Sequence, residues 1–164
     1  MGIQTKDNKK ISVKRTVSRS KNLYLNLLIR IYRFLARKTK SKFNIVILKR
    51  LFSSRLNQQS ISLSSLIKYS TDEKKTVVVV GKVLNDERIQ KIPKLSICAL
   101  KFSSAAKQRV LKNGGTIYTF DQLAKNNPMG KNTILLRGKK TKTSGKKIQN
   151  QISKKKHLNS SFNK

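Results

Sequence analysis

The sequence predicts an α/β fold in which helices come first, strands and short helices then alternate, and a basic extension lies at each end. Three observations support this prediction. Apolar residues recur at helical spacing from about residue 21 to 38, four consecutive valines begin at Val77, and lysines dominate both ends, where apolar residues are scarce. We therefore expect a basic N-terminal extension over residues 1–22, a folded domain over residues 23–137 and a Lys-rich tail over residues 138–164.

The first predicted helix, over residues 21–38, is apolar around most of its circumference. Its apolar positions recur at helical spacing, and they are Tyr24, Leu27, Leu28, Ile31, Phe34 and Leu35. At about 100° per residue, the remaining narrow stripe holds Asn26, Arg30, Arg33 and Arg37. Such a helix should be packed on more than one side, with the stripe exposed. A solvated surface would explain the stripe, but its charges are all positive and Arg matches phosphate oxygens bidentately, which favours RNA contact.

A second helix is predicted from Ser41, as its N-cap, towards residue 54. Lys42, Lys49 and Arg50 should give this helix a basic outer side. The next segments in order are a polar loop over residues 57–60, a short helix over residues 62–68 and a charged turn over residues 72–75.

The strands are predicted in the second half of the chain. They span residues 76–83, 95–102, 116–120 and 133–137. Ser103 should cap a helix between the second and third of these strands, and Gly114 should end it, because glycine adopts the left-handed conformation without strain. A helical turn over residues 121–125 should be capped by Asp121. Hairpin motifs are poor, so the pattern favours strands joined through helices.

The charge of the chain points to a polyanionic partner. The sequence has 39 Lys and Arg against 6 Asp and Glu, a formal net charge of +33. Self-repulsion of this size opposes folding unless a dense anion relieves it, and the phosphates of a nucleic acid are the obvious candidate. Membrane surfaces and acidic proteins are weaker candidates.

The sequence offers little for catalysis or for metal binding. One histidine, His157, and one cysteine, Cys98, make neither a zinc site nor an intrachain disulfide. The adjacent carboxylates at residues 72–73 and 86–87 would suit a metal in principle, but solvated surface charge is the simpler interpretation. No run of about 18 apolar residues predicts a membrane span. We expect no enzyme, no cofactor and no small-molecule substrate.

An ordered set of short motifs resembles a known family. These motifs are Tyr24-Leu25, Ile31-Tyr32-Arg33-Phe34-Leu35-Ala36-Arg37, Ser41-Lys42-Phe43-Asn44, Leu48-Lys49-Arg50-Leu51-Phe52, residues 77–81, Ile92-Pro93-Lys94-Leu95, Cys98-Ala99-Leu100, Gly114-Gly115, Thr119-Phe120-Asp121-Gln122-Leu123-Ala124, Gly130-Lys131 and Leu135-Leu136-Arg137-Gly138. Together they resemble large-subunit ribosomal protein eighteen of eukaryotes and archaea, a relative of bacterial large-subunit protein fifteen. The resemblance implies an irregular strand-strand-helix core with an N-terminal helical extension, no catalysis, and assembly with large-subunit ribosomal RNA and neighbouring ribosomal proteins in the cytosolic ribosome. Assembly in the nucleus or nucleolus is expected to precede this.

The candidate RNA-binding residues have two sources. The family motifs carry over Arg33, Arg37, Lys42, Lys49, Arg50, Lys94, Lys131 and Arg137. Charge alone adds Arg15, Arg19, Arg30, Arg55, Lys139, Lys140, Lys146 and Lys147. The sequence departs from the family at residues 57–60, where prolines are usual, and beyond residue 138, where the family's tail is longer and richer in Gly, Pro and aromatic residues.

Two other functions compete with this interpretation. A DNA-architectural protein would need a groove-entering helix or a minor-groove wedge, and no helix-turn-helix or zinc motif is present. A peripheral membrane protein would use the helix over residues 21–38, whose wide apolar arc better suits a protein core.

Overall fold

The computed structural model describes residues 17–18, 20–53, 58–70, 72 and 75–139. After an initial helix pair, strands and helices alternate, except that β3 follows β2 directly. In chain order, they are α1 (Leu23–Thr39), α2 (Lys42–Leu51), β1 (Ile61–Ser62), α3 (Leu63–Tyr69), β2 (Thr76–Leu84), β3 (Ser96–Phe102), α4 (Ser104–Lys112), β4 (Thr116–Tyr118), α5 (Phe120–Asn126) and β5 (Thr133–Leu136).

The strands form one sheet of five, and every pairing in it is parallel. On one side of β2 lies β3, followed by β4. The other edge of β2 is shared, because β5 pairs with its first half, with Thr133 opposite Thr76, and β1 pairs with its end, with Ile61 opposite Val83. This parallel topology confirms the predicted α/β fold.

Each face of the sheet is covered by helices, because its central strands are apolar on both sides. Consecutive valines of β2 point to opposite faces, so Val77 and Val79 lie in one core while Val78 and Val80 lie in the other. The α4-side core also contains residues from α3 and α4, such as Leu66 and Val110. The α1-side core contains residues from α1, α2 and α5, and its largest buried side chains are Tyr32, Phe120, Leu28, Ile47 and Leu51.

Local chemistry explains where several helices begin and end. The Asn22 side chain accepts hydrogen bonds from the amides of Tyr24 (3.0 Å) and Leu25 (3.4 Å), which caps α1. The predicted cap of α4 is confirmed, since Ser103 Oγ accepts from the Ala106 amide at 3.3 Å. Gly114 ends α4 with φ +71°, as predicted.

Two local predictions need correction, and one strand was not predicted. The N-cap of α5 is Thr119, whose amide donates to Gln122 Oε1 (3.0 Å), and Asp121 lies inside the first turn, where it accepts a hydrogen bond from Tyr24 instead. Helix α2 ends at Leu51 rather than near residue 54. The two-residue strand β1 was not predicted, because two residues are too short to show an alternating pattern.

Candidate nucleic-acid interface

The described carboxylates cannot neutralise the surrounding cations, because they are few and mostly engaged. In the described part of the chain they are Asp72, Asp86, Glu87 and Asp121. Asp72 forms an ion pair with Lys75, and Asp121 accepts a hydrogen bond from the Tyr24 hydroxyl at 2.5 Å. Asp86 accepts from Ser64 Oγ at 2.5 Å, and this bond holds the pKa of the Asp86 carboxyl below its usual value. Most of the positive surface is therefore available to an external anion.

The turn between α1 and α2 packs against the loop before β5. Ser41 Oγ donates to the Met129 carbonyl (3.1 Å), and Asn44 Nδ2, in a buried side chain, donates to the Pro128 carbonyl (2.7 Å). Gly130, with φ +72°, lies so close to the Phe43 ring that a Cβ there would overlap it.

These contacts bring three predicted residues to one corner of the fold. Arg37 lies in the last turn of α1, Lys42 begins α2, and Lys131 follows Gly130 in the loop. All three side chains are exposed, so this basic corner (Arg37, Lys42 and Lys131) faces solvent.

A second predicted group lies where α2 meets β5. Lys49, Arg50 and Arg137 line a cavity of about 270 Å³ there. Arg50 Nη1 donates to the Leu136 carbonyl at 2.8 Å, and burial, with a smaller contribution from Arg137, lowers the pKa of its guanidinium. Arg50 was expected on the outer side of α2, but it is half-buried and ties the helix to the strand. Lys49 and Arg137 remain exposed.

The arginine stripe of α1 divides into two environments. Arg30 and Arg37 are exposed, whereas Arg33 is half-buried with its guanidinium carbon 5.7 Å from the centre of the Phe52 ring, a cation–π distance. Arg33 therefore contributes to packing between α1 and the end of α2.

The apolar circumference of α1 is less buried than predicted. Leu23, Leu27 and Phe34 are 83%, 53% and 60% exposed, because they lie beside the arginine stripe and away from the sheet. The helix packs through a single arc that includes Leu28, Ile29 and Tyr32.

The remaining predicted residues are dispersed. Lys94 is exposed just before β3, at the opposite end of the sheet from Lys139, which follows β5 and is also exposed. Six further candidates lie outside the described residues, and they are Arg15, Arg19, Arg55, Lys140, Lys146 and Lys147.

A basic groove in the described structure was not predicted from the sequence. Lys21, Lys82 and Lys101 line a groove of about 660 Å³ between the start of α1 and the second halves of β2 and β3. The sequence separates these lysines widely, and only the pairing of β2 with β3 brings two of them together. Strand register was the missing information.

The described residues show no constellation typical of catalysis or metal binding. Cys98 is fully buried, and burial raises the pKa of its thiol to about 12, which keeps it protonated and unreactive. No group of three or more potential metal ligands occurs among these residues. None of the helices in this part of the chain is long and apolar enough to span a membrane.

Comparison with known proteins decides the family. The sequence profile of the family described as "Ribosomal protein 60S L18 and 50S L18e" matches residues 2–162. The chain belongs to this family.

Individual relatives agree with the family profile. The large ribosomal subunit protein eL18 of Anopheles gambiae is 49% identical over 145 residues, which cover 86% of this chain and 77% of the relative. The protein of the same name from Diaphorina citri is 48% identical over 132 residues, covering 79% and 70%, and that from Drosophila melanogaster is 45% identical over 144 residues, covering 86% and 77%.

Membership of the L18 family confirms two expectations from the sequence. The resemblance to the large-subunit ribosomal proteins was correct, and the chain is a structural ribosomal protein rather than an enzyme.

Proposed function

We propose that the chain is a structural constituent of the large subunit of the cytosolic ribosome, where it binds large-subunit ribosomal RNA through contacts of Lys and Arg with phosphates. The eL18 relatives are named as large-subunit proteins, which supports the assignment of this chain to the large subunit. The observation that carries the RNA contact is the exposed basic corner of Arg37, Lys42 and Lys131, in a structure where three of the four described carboxylates are already engaged.

The mode of binding follows from the residue types. Lys and Arg on helix ends and loops, outside a recognisable RNA-reading module, mostly neutralise phosphates and position a protein on RNA rather than read base edges. The corner is held in place by the Ser41–Met129 and Asn44–Pro128 hydrogen bonds, so its cations are presented from a fixed backbone. If about 15 side chains contact phosphates, the logarithm of the affinity falls by roughly 10–14 per tenfold rise in salt.

The two basic extensions would add to this interface. We propose that residues 1–22 and 138–164, with Arg15, Lys140 and Lys147 among their cations, lie between RNA helices in the assembled subunit. Neighbouring ribosomal proteins would complete the surroundings, and assembly would begin in the nucleolus.

Fractionation of a cell lysate on a sucrose gradient tests the assignment to the particle. The chain should sediment with the large subunit and should leave that fraction after ribonuclease treatment. Sedimentation with chromatin would support the DNA-architectural alternative instead, and sedimentation with membranes would support a peripheral membrane protein.

Charge-neutral variants test the basic corner. The variant R37Q/K42Q/K131Q should bind purified large-subunit RNA with a salt dependence shallower by about 2–3, since each lost phosphate contact removes roughly 0.7–0.9 from the slope. The control K68Q/K107Q/K112Q removes three exposed charges from α3 and α4. It should change the slope by less than the roughly 0.7–0.9 expected for one phosphate contact. Equal changes in both variants would refute a localised interface.

A further inference from the structure

We propose that the groove lined by Lys21, Lys82 and Lys101, hereafter the lysine groove, binds phosphodiester groups of the RNA backbone. This inference deepens the proposed function and depends on it. It concerns residues that lie outside the basic corner and that belong to none of the predicted RNA-binding positions.

The register of the sheet places two of these lysines directly opposite each other. Lys82 of β2 is the partner of Lys101 of β3, and both side chains are exposed. The pairing is irregular just before this point: Lys82 follows Val79 by three residues on β2, whereas its partner Lys101 follows Ala99 by two residues on β3. An irregularity of this kind bends the strand and redirects the side chains that follow it. Here it leaves both lysines in the same groove.

An anion would stabilise two lysines in this arrangement. Like charges directly opposite each other on neighbouring strands destabilise a sheet. Lys21 adds a third positive charge, and the described residues that line the groove include no carboxylate. Besides the lysines, its polar side chains carry hydroxyl or amide groups, and they are Ser18, Ser20, Asn22, Tyr24, Ser53 and Gln58. Groups of these types can hydrogen-bond to phosphate oxygens but cannot neutralise the lysines.

The walls of the groove would strengthen the attraction. Leu51, Phe52 and Leu100 contribute apolar surface beside the lysines, and charges next to apolar walls are screened less than charges in open water. The backbone also approaches closely here, since a Cβ on Gly81 would lie 2.7 Å from the Gln59 carbonyl oxygen. The glycine therefore allows the segment before β1 to form one wall.

The lysines rather than the helix end supply the binding charge. The Asn22 side chain already accepts hydrogen bonds from the amides of Tyr24 and Leu25 at the start of α1. Lysine ammonium groups are compact charges that suit the spaced, singly charged phosphates of a nucleic-acid backbone. A volume of about 660 Å³ has room for more than one such group.

The test uses the full-length chain with purified large-subunit RNA as the probe. Affinity is measured by filter binding over a series of KCl concentrations for K82Q/K101Q and for the control K107Q/K112Q, whose charges lie on the other face of the sheet. We expect the salt slope of the groove variant to fall by about 0.7–0.9 if the lysines share one phosphate, or by about twice that if each contacts its own. The slope of the control should stay within the error of the unmodified chain.

Two further measurements exclude a folding defect. The RNA-free groove variant should unfold at the same temperature as the unmodified chain or at a higher one, because repulsion between the two lysines is removed. The single variants K82Q and K101Q should each weaken RNA binding. A lowered unfolding temperature in all three groove variants would overturn the claim of repulsion.

The possible outcomes separate this inference from the proposed function. If the unmodified chain fails to bind RNA, the proposed function is wrong and the groove inference fails with it. If the chain binds RNA and the groove and control variants lose equal amounts, only the groove inference is wrong. If K82Q/K101Q keeps its RNA affinity but loses binding to polyglutamate, the groove serves an acidic protein segment and the inference is overturned.

Discussion

On one face of the sheet, the short helices α3 and α4 cover the core, and one arginine makes three hydrogen bonds to the loop beside them. Arg109 of α4 donates to Asn85 Oδ1 (3.0 Å), to the Asp86 carbonyl (2.7 Å) and to the Ile89 carbonyl. One side chain therefore holds much of the connection between β2 and β3 against the helix.

On the other face, α1, α2 and α5 are fastened by several separate polar contacts. The Tyr32 hydroxyl donates to the Phe120 carbonyl at 3.0 Å, and their rings pack edge to face with centroids 5.9 Å apart. The Tyr24 hydroxyl reaches Asp121, and Arg50 reaches the Leu136 carbonyl.

The contrast between the two faces shows that the cations of this highly basic chain have different structural roles. Arg50 and Arg109 are half-buried and satisfy backbone carbonyls, and Arg33 packs over an aromatic ring. The exposed cations among the described residues, most of them lysines, remain available to an external anion. The surroundings of a cation, more than its residue type, therefore indicate whether it stabilises the fold or is available to an external anion.

The largest expected effects test whether the two faces stabilise one cooperative unit. Phe120→Ala, on the α1 side, should lower the free energy of unfolding by about 3–5 kcal/mol, and Leu66→Ala, on the α4 side, by about 2–5 kcal/mol. Each should shift a single urea transition monitored by circular dichroism. Leu111→Ala, at a half-exposed position, serves as the control. Two separate transitions would contradict a single cooperative unit, because they would show that the two faces unfold independently.

Substitution of Arg109, which holds the loop against α4, should cause the next largest loss of stability. Arg109→Ala should cost about 2–4 kcal/mol, because it removes charged hydrogen bonds and leaves carbonyls without their donor. Arg109→Lys should restore little, since an ammonium group cannot reproduce the guanidinium fork. Lys107→Ala, on the same helix but exposed, should change the unfolding free energy by less than about 0.5 kcal/mol. A neutral result for Arg109→Ala would contradict the fastening role.

Arg50 and Lys49, neighbours on α2, test the distinction between residues that stabilise the fold and residues that bind RNA. Arg50→Gln should destabilise the fold by about 1–3 kcal/mol through loss of its bond to the Leu136 carbonyl. Lys49→Gln should leave stability within about 0.5 kcal/mol but should weaken RNA binding. Urea unfolding and filter binding of both variants check this pair, and interchanged results would reverse the assigned roles.

The smallest expected effect concerns the link between Tyr24 and Asp121. This hydrogen bond lowers the pKa of the Asp121 carboxyl, so its contribution is present above the unfolded value near 3.9 and is lost as the pH falls below it. Tyr24→Phe should cost about 1 kcal/mol at pH 7 and nothing in strong acid. Tyr69→Phe, at another exposed tyrosine, should have no such pH dependence.

At alkaline pH, the hydrogen bond between Tyr24 and Asp121 makes stability depend on pH in the opposite direction. Burial, and then the bond to Asp121, raise the pKa of Tyr24 from 10.0 to about 12. Between these values the unfolded chain has lost the phenol proton while the folded chain retains it, so stability should fall as the pH rises. Unfolding curves measured along this range should show the fall in the unmodified chain and a smaller one in Tyr24→Phe.

The sequence predicted the types of the longer elements because their periodicity is local. The valine run, the Ser103 cap and the stop at Gly114 all depend on residues a few positions apart. The bonds from Arg50 to Leu136 and from Tyr24 to Asp121 could not be predicted in this way, since they join residues 86 and 97 positions apart.

The candidate interface was predicted in part. Arg37, Lys42 and Lys131 were identified one by one, but their common corner depends on contacts of the loop before β5 with the start of α2. Lys82 and Lys101 were missed because strand register is a tertiary property, which propensity and charge do not encode.

The shared edge of β2 has a consequence for synthesis of the nascent chain. The first half of that edge is completed only by β5, the last described strand, whereas β1 precedes β2 in the chain. Until Thr133–Leu136 has been made, Thr76–Val79 presents bare amides and carbonyls, which readily recruit a strand from another molecule. The nascent chain is therefore prone to aggregate at this edge until β5 has been synthesised and pairs with β2.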